Sequence, residues 1–401
     1  MKKISIILII SLLIPSISIA TDALYVWSEN SETLETANID NTNGEALTLE
    51  SESAILIEQS TGKVIFEKNS HEILRPASVT KVMTILLIAE AIDNGEIKLT
   101  DTVSCSEKAS SMGGSQIWLD EKDNLTVQEM LKAICVVSAN DCSVAMAEHL
   151  GGTEEGFVAK MNERAKELGM YDTTFKNCHG IDEDGHVTSS YDIALMSKEL
   201  LQNHPWITDY TTIWMDSLRN GESELVNTNK LLRNYKGATG LKTGSTSLAL
   251  YNLSASATRD GLNLIAVIMR APTTKLRFNE AKQLLDYGFA NYKFVEKNKA
   301  GDVITNAEVI KGVEKNINLL LENDTGFVVK KGDEKNVEEV IEINENIEAP
   351  IAKGDVLGKV SYVIEGTEVA SSNLIAEKDI EKLGFWNISG YIFNTWVRLF
   401  K

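Results

Sequence analysis

The chain has 401 residues, enough for two domains with sizeable cores, and a formal charge of −19. That acidity excludes nucleic acid as a partner and requires any anionic substrate to be held by local cations. The four cysteines, Cys105, Cys135, Cys142 and Cys178, show no Cys-x-x-Cys or Cys/His ligand spacing. Neither a metal nor a cofactor is expected. On one continuous helix Cys135 and Cys142 would stand about 10 Å apart along the axis, too far to bridge, so buried free thiols are the expectation.

At the start, Lys2 and Lys3 precede an apolar stretch from Ile4 to Ile19, and Ser18-Ile19-Ala20 sets small residues at −3 and −1 of a cut. This predicts a signal peptide over 1–20 and an exported chain. The shortness of the stretch argues against an uncleaved anchor. Cleavage removes two lysines and no acid, taking −19 to −21. Residues 21–50, rich in Asn, Glu and Thr, read as an exposed leader. Ser53 to Glu58 and Thr61 to Phe66 predict a β-hairpin, and the apolar run Val82 to Ile88 a buried helix. Helical spacing recurs over Val127 to Leu150, Glu154 to Leu168 and Ser190 to Leu201, the last capped by Ser189 or Ser190. Leu250 to Thr258 and Leu262 to Met269 read as paired strands, and a helix over Thr274 to Tyr292 follows. Strands first, helices next, then strands and a helix predict an α/β or α+β domain over 51–293, its sheet built from both ends.

Beyond residue 295 short β-rich segments alternate with Gly, Asn and Asp turns: Val303-Ile304, Ile317 to Leu321, Phe327 to Val329 and Val356 to Val363. These predict a small all-β sandwich over 300–380. Between 301 and 380, 17 acidic side chains against 8 basic ones give a net charge of −9. A spacer is expected, with a ligand-binding module as the alternative, although no residue there points to a site. The segment 381–401 changes character again. Phe385, Ile388, Ile392, Trp396 and Leu399 recur at steps of three and four, with Lys382, Arg398 and Lys401 nearby. Too short and too broken by Asn, Ser and Gly to span a bilayer, it reads as an amphipathic helix lying in the membrane surface. Packing back on the β domain is the alternative.

Three tripeptide-scale patterns carry the chemistry. In Ser78-Val79-Thr80-Lys81 one helical turn brings a poor nucleophile beside a base, at a helix start whose partial positive charge favours a developing anion. Ser138-Ala139-Asn140 falls in the helical region, and Lys242-Thr243-Gly244 opens a strand-like run. Each is common alone; together, in this order, they point to an acyl-transfer serine enzyme.

On these residues the chain resembles the penicillin-recognising serine acyltransferases, and within them the low-molecular-weight D-alanyl-D-alanine carboxypeptidases. The signal peptide, the Asn177-Cys178-His179-Gly180-Ile181 stretch, the acidic β domain and the tail fit the same likeness. The resemblance implies a transpeptidase/β-lactamase-like catalytic domain acting on peptidoglycan stem peptides at the outer face of the membrane, and acylation by β-lactams. Ser78 is then the nucleophile and Lys81 its base, made available by burial and by the second cation Lys242. Ser138 relays a proton to the leaving amine, and Asn140 holds Lys81 or the substrate amide. Lys242 and Thr243 take the terminal carboxylate, and Gly244 permits close approach along the strand. The resemblance assigns the oxyanion donors to the backbone N–H groups of Ser78 and Ser245. Thr239 stands where the family often has Asp, and Ser245 where His or Tyr is common.

His179 with Asp182 or Asp192 could suggest a Ser-His-Asp triad, but the lysine already supplies a base and a structural histidine is expected. Two other functions compete. A class A β-lactamase shares the three motifs, yet no clean Glu-x-x-Leu-Asn is present to hold a deacylating water. A non-catalytic wall-binding scaffold is opposed by the intact Ser78, Lys81 and Lys242.

Overall fold

The computed structural model describes residues 47–384 apart from Glu365. The expected signal peptide, most of the leader and the aromatic part of the tail lie outside the described residues.

Strand β1 (Ser53–Glu58) is buried along its whole length and forms the predicted hairpin with β2 (Val64–Lys68). Its other edge pairs with a strand two hundred residues on. Strands β3 (Ala238–Thr246), β4 (Leu250–Arg259) and β5 (Leu262–Ala271) complete an antiparallel sheet of order β2-β1-β5-β4-β3. The sheet is thus built from both ends of the domain, as expected.

Side-chain alternation divides this sheet between two cores. Ile55, Ile57, Ile265, Val267 and Met269 face a helical layer made by α1 (Lys81–Asp93), α2 (Val127–Val137), α3 (Asn140–Gly151), α4 (Glu154–Glu167) and α5 (Ser190–Asn203). Leu56, Leu264, Ala266 and Ile268 face the long helix α6 (Thr274–Asn291). Leu49, counted with an exposed leader by its polar neighbours, is buried in this second core.

The helical spacing from Val127 to Leu150 is not one helix. Thr126 and Glu129 cap α2 reciprocally at its start, but Ser138 adopts φ 65° and ends it, and α3 begins two residues later. No Gly or Pro announces the break, so apolar spacing alone runs through it. Cys135 and Cys142 therefore lie on different helices, and all four cysteines are buried and free. The Lys242-Thr243-Gly244 motif likewise sits mid-strand in β3 rather than opening it.

After α6 the chain turns directly into β6 (Tyr292–Asn298), which pairs with β9 (Thr325–Lys330). Facing them is a sheet of order β7-β8-β12-β11-β10, made from β7 (Val303–Glu308), β8 (Asn316–Leu321), β10 (Val337–Ile343), β11 (Val356–Ile364) and β12 (Thr367–Ala376). Leu319, Phe327, Val360, Tyr362 and Leu374 fill the sandwich. Strand β9 straddles the seam between domains: Phe327 and Val329 enter the sandwich core, while Val328 between them enters the core under α6. Lys63 Nζ donates to the Val328 carbonyl across the same seam (3.3 Å). Lys382, grouped above with the tail, is paired with Glu348 of the β domain (3.3 Å). Among the described residues no helix is long and apolar enough to cross a membrane.

Candidate active site

The segment carrying Ser78 is a single 3-10 turn, Ala77–Thr80, set immediately before α1. Ala77 holds φ 47°, a conformation unfavourable to any residue but glycine, so the turn is fixed by its surroundings. Two of these surroundings are glycines. A Cβ on Gly180 would lie 1.9 Å from the Ala77 carbonyl oxygen, and one on Gly244 would lie 2.9 Å from the Ser78 backbone nitrogen. The space beside Gly244 is therefore filled by the turn that carries Ser78. Asn252 on β4 completes the mount, its Nδ2 donating to the carbonyls of Arg75 (2.8 Å) and Pro76 (3.0 Å).

Lys81, the first residue of α1, is fully buried and directed back at this turn. Its Nζ lies 3.2 Å from Ser78 Oγ, 2.6 Å from Asn140 Oδ1 and 2.6 Å from the His179 carbonyl oxygen. A neutral amine has two N–H donors and one lone pair. Here two carbonyl-type acceptors can take both donors, leaving the lone pair for the Ser78 proton. Burial lowers the lysine from its usual 10.5 to about 7, against the raising effects of Cys178 and Asp141.

Lys242 is also buried, and its Nζ donates to the Thr243 carbonyl (2.9 Å). Burial first, then the charge of Lys81, hold it well below the ordinary lysine value. The two buried lysines therefore oppose each other's charge, and that repulsion belongs to the pair rather than to either residue alone. A carboxylate arriving beside Lys242 would favour its charged form.

Ser138, in its left-handed elbow, is buried (3% exposed), and its Oγ makes no hydrogen bond among the described residues. Asn140 turns its amide so that Nδ2 donates to the Gly113 carbonyl (2.7 Å), which leaves Oδ1 for Lys81. Thr243 Oγ1 donates to Thr228 Oγ1 (2.6 Å), and Ser245 is exposed on the same strand. Thr239 is occupied structurally, its Oγ1 donating to Ser256 Oγ (2.8 Å).

Ser78, Lys81 and Asn140 are thus linked directly, and Gly244 abuts the turn. His179 is not part of a triad. Its carbonyl serves Lys81, while its ring accepts the Ile181 N–H at Nδ1 and faces Glu154 from Nε2 (3.4 Å). Burial and then the Lys81 charge push that imidazole down to about 4. Asp182 faces Arg75 and Asp192 accepts from Thr173.

Several supports escaped the sequence reading. Glu154 is buried and accepts from Cys178 N (3.2 Å) and Cys178 Sγ (3.3 Å) while pairing with Lys108 (3.0 Å). Burial opposes its ionisation, but these donors prevail and keep it below the usual glutamate value. Arg277, buried on α6, donates to the Gly244 carbonyl (3.0 Å) and fixes β3 from behind. A buried arginine inside an amphipathic pattern leaves no distinguishing spacing; only the Asn177 to Ile181 stretch drew notice in advance.

A serine with a buried, partly neutral lysine beside it, on an antiparallel sheet backed by helices, is an apparatus for acyl transfer through a covalent serine ester. Residues 40–273 match the family of D-alanyl-D-alanine carboxypeptidases, peptidase S11, and residues 289–382 match the C-terminal domain of penicillin-binding protein 5. The chain is 44% identical over 353 residues to D-alanyl-D-alanine carboxypeptidase DacF of Bacillus subtilis, covering 87% of this chain and 90% of that one. Its fold is similar to penicillin binding protein 5 of Haemophilus influenzae, with TM-score 0.75 and 32% identity over 85% of this chain and all of that one. It is also similar to penicillin-binding protein D2 of Listeria monocytogenes in its ampicillin-bound form, with TM-score 0.56 and 30% identity over 61% of this chain and all of that one. The chain belongs to the D-alanyl-D-alanine carboxypeptidase family, peptidase S11.

Proposed function

We propose the following course for the D-alanyl-D-alanine carboxypeptidase reaction of this chain. Ser78 Oγ attacks the carbonyl of the penultimate D-alanine of a peptidoglycan stem pentapeptide while its proton passes to Lys81. The tetrahedral intermediate collapses to a Ser78 ester, the amide bond breaks, and the terminal D-alanine leaves after its nitrogen takes a proton through Ser138. Water then attacks the ester, giving the tetrapeptide and free Ser78. Lys242 and Thr243 hold the terminal carboxylate, Asn140 orients Lys81, and the N–H groups of Ser78 and Ser245 receive the oxyanion. The observation that carries this reading is the Lys81 amine, buried, lowered to about 7 and 3.2 Å from Ser78 Oγ.

β-Lactams present a carbonyl to the same serine, and the likeness to an ampicillin-bound protein supports their acylating Ser78. A β-lactamase reading has less support, since the matched family is that of the carboxypeptidases. The catalytic part occupies 51–293 and the β-rich part 300–380. Export by the 1–20 segment and surface attachment by 381–401 put the site at the outer face of the membrane, facing the wall. Mass spectrometry of the protein after benzylpenicillin tests the assignment: an adduct on the peptide containing Ser78 is expected. No adduct, together with unchanged D-alanine release by Ser78→Ala, overturns it.

A further inference from the structure

Trp118 is 77% exposed and holds φ 53°. A bulky residue occupies that region only where its neighbours hold it there. The neighbours are explicit. Asp141 Oδ2 accepts the N–H of Ile117 (3.0 Å) and of Leu119 (3.1 Å), one on each side of Trp118. Arg219 donates to the carbonyls of Ile117 (2.8 Å) and Trp118 (3.4 Å). Asn140 secures the start of the same loop, its backbone N–H reaching Ser115 O (2.7 Å) and its amide reaching Gly113 O. Asn140 and Asp141 fix loop 113–119 on the start of α3, Arg219 holds it from a separate segment, and the large side chain left facing outward is the Trp118 indole. Packing would have buried such a ring, and a turn needing positive φ would be served by Gly or Asn. Strain held in place at the margin of a reactive site points to use.

We propose that Trp118 is a substrate-binding residue whose ring stacks on the stem peptide on the acyl side of the scissile bond. The side follows from the mounting. The loop hangs from Asn140, which reaches the nucleophile through Lys81, whereas the leaving carboxylate is assigned to Lys242 and Thr243 on β3. An exposed indole offers a large flat surface of little conformational freedom for such a contact. The inference rests on the carboxypeptidase reading of the site.

Trp118→Ala, Trp118→Gly and Trp118→Phe are assayed for kcat/KM on a free stem pentapeptide and on its muramyl form. The Ala and Gly variants are expected to lose about tenfold or more on both substrates, chiefly through KM, while Phe keeps at least about a third. Thermal midpoints should not fall. A smaller loss, recovery of activity in Gly relative to Ala, or Phe as poor as Ala overturns the proposal, as does a loss confined to the muramyl form. Benzylpenicillin acylation of the unaltered protein separates the two levels. Its absence defeats the carboxypeptidase reading, and its presence with unaffected variants defeats only the role of Trp118.

Discussion

Gly244 and Ser78 are in backbone contact: a Cβ at the one would lie 2.9 Å from the nitrogen of the other, and equally close to Pro76 O and Val79 N. The strand that bears Lys242 and the turn that bears Ser78 are therefore assembled as one unit. Because all three of these neighbours are main-chain atoms, nothing there yields cheaply to an added methyl group.

Gly244→Ala should accordingly push the turn off β3. Overpacking of this kind costs about 1–3 kcal/mol, and penicillin acylation should fall about a hundredfold because small misplacements of a nucleophile are amplified in rate. Urea denaturation and stopped-flow acylation read the two effects. Unchanged acylation would exclude the contact as a determinant of reactivity.

The lowered Lys81 value sets a pH signature. Acylation should rise with pH as the ammonium loses its proton, with a half-rise near the value of about 7. Stability moves in the same direction for a different reason. The unfolded chain, with lysine at its ordinary 10.5, binds more protons than the folded chain between about 7 and 10.5, so folding is favoured increasingly as pH rises through that window. Lys81→Met should abolish acylation and remove its share of that rise, seen as the parent gaining stability relative to the variant between pH 7 and pH 10.

Ser138 separates catalytic from structural roles. Its buried Oγ makes no hydrogen bond among the described residues, so Ser138→Ala should leave stability unchanged or raise it by up to about 1 kcal/mol. D-Alanine release should drop about a hundredfold or more if the hydroxyl carries the proton to the leaving amine. A variant with full activity would remove Ser138 from the relay.

Glu154 should show the opposite pattern. Glu154→Ala strips the acceptor from the buried Cys178 N–H and Sγ, while the half-exposed Lys108 keeps Glu155 (2.9 Å); leaving a buried donor unsatisfied costs about 1–3 kcal/mol. Chemical denaturation measures that loss. Glu154→Gln, which retains an acceptor for Cys178 N–H, should recover part of it.

Much of this molecule was legible in advance where periodicity and spacing speak. The β1–β2 hairpin, the pairing of β4 with β5 and the Ser78-x-x-Lys81 unit follow from alternation and from one helical turn. What stayed hidden is what the long-range contacts decide. The elbow at Ser138 interrupts an unbroken apolar pattern, because a left-handed serine carries no Gly or Pro marker. The His179 carbonyl that serves Lys81 lies 98 residues away and is a main-chain atom, common to every residue type. Arg277 and Asn252 gain their roles only when α6 and β4 close on β3. Strand β10, mostly exposed, lacks the alternation that betrays a strand.

The three partners of the Lys81 amine, Ser78, Asn140 and His179, come from three separate stretches of chain, and burial of that amine requires them all. In the unfolded chain the lysine is a solvated ammonium and the serine an ordinary alcohol. Covalent penicillin uptake is consequently a count of correctly closed molecules: in a partly denatured sample, the fraction labelled in a pulse short against refolding reads the native population, without any need for a separate folding probe.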